Sequence, residues 1–209
     1  MSGFFFFDAA THTYTVDEVR KKSVTEIISP LVDFSMVPES ALEFARDRGT
    51  NVHKACELTD LGVLDFETLD ERLQGYVMGW QKFMMEFMPT WDHIELPLYS
   101  EFYGFCGTPD RAGRVDVKEG KKITQKKIVL DIKSSAQLSP VVGVQLSGYA
   151  TLLQRGISET DLKPEFEADE LWAVQLKNDG TYRRKVYTPQ HPVFLGLLAV
   201  SNWKERYDN

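Results

Sequence analysis

Residues 107–133, GTPDRAGRVDVKEGKKITQKKIVLDIK, decide how the chain reads. Arg111 to Val117 and Lys127 to Ile132 alternate or run apolar over strand lengths. Ile128-Val-Leu130 is continuously apolar, as expected of a central strand covered on both faces. Working upstream, Tyr103 to Cys106 and Ile94 to Leu98 predict two more strands, so four follow one another as a meander. Downstream, Ser139-Pro140 introduces a helix to about Arg155. An acidic loop over 159–170 precedes a strand from Leu171 to Lys177, the turn Asn178-Asp-Gly180, a strand from Tyr182 to Tyr187 and a last helix from about Pro192.

The N-terminal third has a different period. Thr68-Leu-Asp-Glu71 predicts a capped helix whose Leu69, Leu73, Tyr76, Val77, Trp80, Phe83, Met84 and Phe87 recur in steps of three and four until Pro89. Before it, a helical stretch begins at Pro38, bends near Gly49 and ends near Leu61, and Ser23-Val-Thr-Glu26 has capping-box spacing. Phe4 to Phe7 and His12 to Val16 read as short strands. The expected architecture is α/β, a mixed central sheet flanked by helices. No linker or repeat divides it, so 1–209 reads as one domain. Its parts are a helical segment over 23–88, a β meander and helix over 91–156, and C-terminal strands and helix over 170–207.

Composition narrows the class. With 209 residues, 43% hydrophobic and 26% charged, the chain can bury a core and is neither fibrous nor disordered. Two cysteines cannot make a disulfide framework, which suits a cytoplasmic protein. The start, MSGFFFFDAATHT, has a four-residue apolar run and no basic lead, so it is not expected to be a signal peptide, and no stretch reads as a membrane span. The net charge of −7 argues against a nucleic-acid binder when taken whole.

The chemistry concentrates in the opening stretch. Pro109-Asp110 sits beside Gly107 at an expected strand end, and Asp131 and Lys133 project from one face of a later strand while Ile132 packs opposite. Such a pair is often a plain surface ion pair. Here the three preceding residues are apolar, so the charges lie at a buried strand end that a metal ion can compensate. Asp110 and Asp131 offer hard oxygen ligands suited to Mg²⁺ or Mn²⁺. Lys133 can orient or help deprotonate an attacking water and stabilise phosphoryl charge. Gly49-Thr-Asn-Val-His53 opens a helix with Glu57 one turn past His53, and Gln145 and Tyr149 lie one turn apart on another.

Together RGTNVH, GTPD, LDIK and QLSGY, in that order, resemble the RecB-like branch of the PD-(D/E)XK nuclease superfamily over about residues 12–155, and THTYTV and SVTEII resemble the lead-in of small phage members. The resemblance implies a restriction-endonuclease-like core and a metal-dependent DNA exonuclease acting at DNA ends, phage-encoded and working in the host cytoplasm. It would serve recombination, repair or genome processing beside a single-strand annealing or recombination protein. It makes His53, Asp110 and Asp131 metal ligands, with the Ile132 backbone carbonyl beside them, and Lys133 the catalytic lysine. Gln145 and Tyr149 would brace the site and hold the strand. Glu95, twelve residues before Gly107, stands where related phage nucleases carry a glutamate, with Glu101 a second candidate. Arg111 and Arg114 flank Asp110 as expected phosphate contacts. Several relatives hold an iron–sulfur cluster on four cysteines; Cys56 and Cys106 do not suffice, so none is expected. A structure-selective or site-specific endonuclease on the same fold, and a non-catalytic DNA-end or recombinase-binding module, are the alternatives.

The charge is unevenly spread. Residues 111–133 hold eight Lys and Arg against three acids, a local +5, whereas 159–170 holds six acids and one Lys. On this basis Lys121, Lys122, Lys126 and Lys127 are expected to form a basic rim near the cleft.

Overall fold

A computed structural model describes residues 4–207 of the chain; Met1 to Gly3, on which part of the leader expectation rests, lie outside the described residues. Strands β1 (Phe5–Asp8), β2 (Thr13–Val16) and β3 (Val19–Lys21) form an antiparallel sheet. Helix α1 (Val24–Ile28) follows with the anticipated capping box: Ser23 Oγ accepts from Glu26 N at 3.2 Å and Glu26 Oε2 accepts from Ser23 N at 2.8 Å.

Helix α2 (Glu39–Asp60) is continuous, so the stretch from Gly49 to His53 lies inside it and opens no new helix. Helix α3 (Glu71–Phe87) starts later than expected. Its N-cap is Asp70, whose carboxylate accepts from Arg72 N at 2.9 Å, while the Thr68 hydroxyl donates to Asp65 O. Met88, at φ 40°, ends α3.

Five strands make the central sheet in the order β10-β9-β8-β7-β4. They are β4 (Thr90–Ile94), β7 (Arg111–Glu119), β8 (Lys122–Lys133), β9 (Glu170–Leu176) and β10 (Tyr182–Tyr187). Only β8 and β9 run parallel, joined through helix α4 (Val141–Arg155), so the sheet is mixed as expected. The four-strand meander is not observed. Glu95 adopts φ 43° and Pro97 follows, which breaks the expected Ile94–Leu98 strand. Strands β5 (Leu98–Ser100) and β6 (Phe105–Gly107) then pair apart as a ribbon.

Both faces of the sheet are covered, which explains the apolar run of β8. Ile128, Leu130 and Ile132 pack with Trp172 and Val174 against Trp80, Phe83 and Phe87 of α3 and Val52 and Cys56 of α2. Val129, Leu171 and Ala173 face α1, α4 and helix α5 (His191–Tyr207). Each fully buried large apolar side chain contributes roughly 1.5–3 kcal/mol. Among the described residues no helix is long and apolar enough to cross a membrane.

Candidate metal centre

One end of β8 gathers the polar groups. Asp110 directly precedes β7 and is buried, 5% exposed; its Oδ2 accepts from Ile132 N of β8 at 2.6 Å. His53, on α2, has Nε2 2.9 Å from the Ile132 carbonyl oxygen. With Nε2–H donating there, Nδ1 is left facing Asp110 Oδ2 at 3.5 Å and Glu95 Oε1 at 3.7 Å. Glu95 reaches this position from a left-handed residue after β4, and its own N–H donates to the Asp110 carbonyl at 2.9 Å. His53, Glu95 and Asp110 each offer a ligand atom, and the three lie within 4.8 Å of one another. Among the described residues this is the one such set of three or more. A nitrogen and two carboxylates match the ligand preference of a divalent cation.

Asp131 stands beside this set and is not one of the three. It is 1% exposed, and its carboxylate pairs with Lys133, Nζ lying 3.0 Å from Oδ1 and 2.8 Å from Oδ2. The Oδ2 contact lacks hydrogen-bond geometry, so that buried oxygen has no hydrogen-bond partner. Gln145 Nε2 donates to Tyr149 Oη at 3.1 Å, both on the buried side of α4.

The electrostatics follow from crowding. Burial opposes a charge on His53, but Asp110 and Glu95 outweigh it and raise its pKa to about 9. Burial lifts Asp131 to about 6 against the pull of Lys133. Burial also raises Asp110, opposed by His53. The Lys133 ammonium stays charged: burial works against it, while Asp131 and Asp110 raise its pKa. Tyr149 is kept a neutral phenol by burial and by the fields of Asp110 and Asp131.

Arg111 departs from its expected role. It is wholly buried and cannot meet a phosphate backbone; Nε pairs with Asp60 at 2.7 Å and Nη1 with Glu95 at 3.0 Å and the Asp110 carbonyl at 2.6 Å. Asp60, overlooked in the sequence, lies two helical turns past His53 on the same flank of α2, and that seven-residue spacing was its available signal. Trp80 Nε1 donates to its other oxygen at 2.9 Å. Glu57 instead pairs with Lys54 at 2.8 Å, and Glu101 is exposed in the turn before β6. Arg114 pairs with Asp92 at 2.8 Å, three positions further along β7 from Arg111.

The basic rim is also elsewhere. β8 is 12 residues long, so Lys122 lies roughly 36 Å from Lys133 at ~3.3 Å per residue. Lys121 sits in the tip of that hairpin, and Lys126 is neutralised by Glu170 and Glu119 at 2.5 and 3.0 Å. Cys56 and Cys106 are buried in separate core clusters, and burial holds both thiols protonated. Comparison with family models and with curated proteins gives no match for the chain.

Proposed function

We propose that the chain is a divalent-metal-dependent deoxyribonuclease of the PD-(D/E)XK kind, hydrolysing phosphodiester bonds at DNA ends. The observation that carries this reading is the junction at the end of β8 of the His53, Glu95 and Asp110 cluster with the Asp131–Lys133 pair. The unpartnered Asp131 Oδ2 and the hard carboxylate oxygens of Glu95 and Asp110 fit Mg²⁺ or Mn²⁺. His53, Glu95, Asp110 and Asp131 would hold the cation, with the Ile132 carbonyl at the edge of the set because His53 already engages it.

A cation bound there supplies Lewis acidity toward the phosphoryl group and offsets the clustered carboxylates. The residues supply the rest. Lys133, kept charged, orients the attacking water opposite the leaving oxygen and stabilises charge developing on the phosphoryl group; its raised pKa makes it a poor base. Tyr149, a neutral phenol oriented by Gln145, can donate a hydrogen bond to the strand. Arg111 positions Glu95 and the Asp110 backbone without touching substrate.

The test is cleavage of end-labelled linear DNA in Mg²⁺ or Mn²⁺, with EDTA and closed circular DNA as comparisons. Linear DNA is expected to shorten from its ends and circles to survive. Asp131→Ala and Lys133→Ala should each lower turnover about 100-fold or more, and intact activity in either would refute the assignment. Cutting of closed circles would point to the endonuclease alternative, and metal and DNA binding without turnover to the non-catalytic module.

A further inference from the structure

The lysine-rich hairpin lies at the wrong end of the sheet to serve the centre, and Arg111 and Arg114 are ion-paired, so the cations that serve it have to come from elsewhere. The sheet register identifies them. Directly paired residues on neighbouring strands share a face. Lys133 pairs with Gln175 of β9, and Gln175 with Arg183 of β10; Asp131 pairs with Ala173, and Ala173 with Lys185. Arg183 and Lys185 thus end the same two rows that begin at Lys133 and Asp131, about 10 Å away at a strand spacing of ~4.8 Å.

Three further facts favour a ligand on this edge. Arg183 is exposed and Lys185 half-buried, and neither forms an ion pair among the described residues, whereas Arg184 between them turns to the other face and stacks on Trp172 at 4.3 Å. Lys185 Nζ rests 4.4 Å above the Tyr187 ring, a cation–π contact in place of an ion pair. Tyr187 lies in the fields of Asp131, Lys133 and Arg183 together and donates to the Ser139 carbonyl at 2.9 Å. The connection from β8 to α4 crosses between the two ends. Gln175 Nε2 donates to Ser135 O at 2.7 Å, so the connection lies over the Lys133–Gln175–Arg183 row, and its residues 135–137 are exposed.

We propose that Arg183 and Lys185 form a phosphate-binding track that carries the DNA backbone from the metal centre across the 134–140 connection to the β10 edge of the sheet. This rests on the nuclease reading. The track grips backbone without reading bases, since phosphate contacts fix register and carry no sequence information.

The experiment measures binding of a fluorescent DNA duplex to the full chain in Ca²⁺ by anisotropy, across a salt series. Arg183→Ala and Lys185→Ala should each flatten the slope of log affinity against log salt by about 0.9, or about 0.7 with a single strand. Arg183→Lys and Lys185→Arg should keep the wild-type slope, and Lys118→Ala, on the far hairpin, should too. Mn²⁺ affinity measured by calorimetry should be unchanged in both alanine variants. If the wild type binds and cuts DNA while both alanine variants keep its slope, the track is refuted and the nuclease reading stands. A wild type that neither binds nor cuts DNA refutes both.

Discussion

The Arg111 guanidinium holds Asp60, Glu95 and the carbonyl of Asp110 at once, from a site with no solvent exposure. Replacing it by Met leaves the buried Asp60 carboxylate without its counter-charge and Glu95 with His53 alone, and breaking a buried pair in this way costs about 3–5 kcal/mol. Arg111→Met should therefore lower the urea midpoint strongly, and Arg111→Lys should recover little because an ammonium cannot reproduce the fork. His53 and Asp131 make a second residue-scale prediction, for protein stripped of metal. The folded pKa of His53 is raised from 6.5 to about 9, so its contribution is complete below 6.5 and lost as pH rises through about 9. The Asp131 value, raised from 3.8 to about 6, favours the protonated folded form, so its contribution too is lost as pH rises, in a lower window. In EDTA the melting temperature should fall from about pH 4 to pH 9. His53→Gln should flatten the upper part of that fall. Excess Mg²⁺ should oppose it, since the cation binds the deprotonated ligands.

Two glycines in neighbouring helices predict opposite outcomes. A Cβ on Gly75 of α3 would stand 1.9 Å from the Asn178 carbonyl oxygen in the β9–β10 turn, whereas one on Gly49 of α2 meets nothing within 4 Å. Gly75→Ala should destabilise by about 1–3 kcal/mol through overpacking. Gly49→Ala should stabilise by about 0.5–1 kcal/mol through helix propensity, both read from urea unfolding. Elements of this scale were largely legible in the sequence where the signal is local. The α3 stripe put Tyr76, Val77, Trp80, Phe83 and Phe87 in the core, and Ser23 and Glu26 gave a true capping box. The signal failed where one backbone torsion decided the matter. Glu95 in a left-handed conformation splits an apparent strand, and nothing in its side chain announces that.

For the whole molecule, the meeting of Asp110 with Asp131 and Lys133 at the end of β8 was legible because motif spacing survives in sequence, but their surroundings were not. Which cations border the centre depends on pairing between β8 and β9, strands separated by a helix and a long loop, and no local pattern encodes that register. A count over 111–133 therefore gathered lysines that the sheet spreads along its length. On the proposed nuclease reading, Lys121→Glu combined with Lys122→Glu should leave cleavage of linear DNA unchanged at physiological salt, where the screening length is about 8 Å against a separation of roughly 36 Å. A labelled-end assay on that double variant checks it, and a marked loss of rate would show that the distant hairpin takes part.

Ile132 joins the centre through its main chain alone, its N–H holding Asp110 and its carbonyl holding His53, while its side chain faces the core. Such a joint is indifferent to the identity of the residue and intolerant of its position. Valine or leucine could replace isoleucine over evolutionary time with little effect on the groups it ties together. Insertion or deletion of one residue within β8 would exchange the two faces of the strand and put the core-facing side chains where Asp131 and Lys133 belong. Drift at this site is therefore free in composition and forbidden in length.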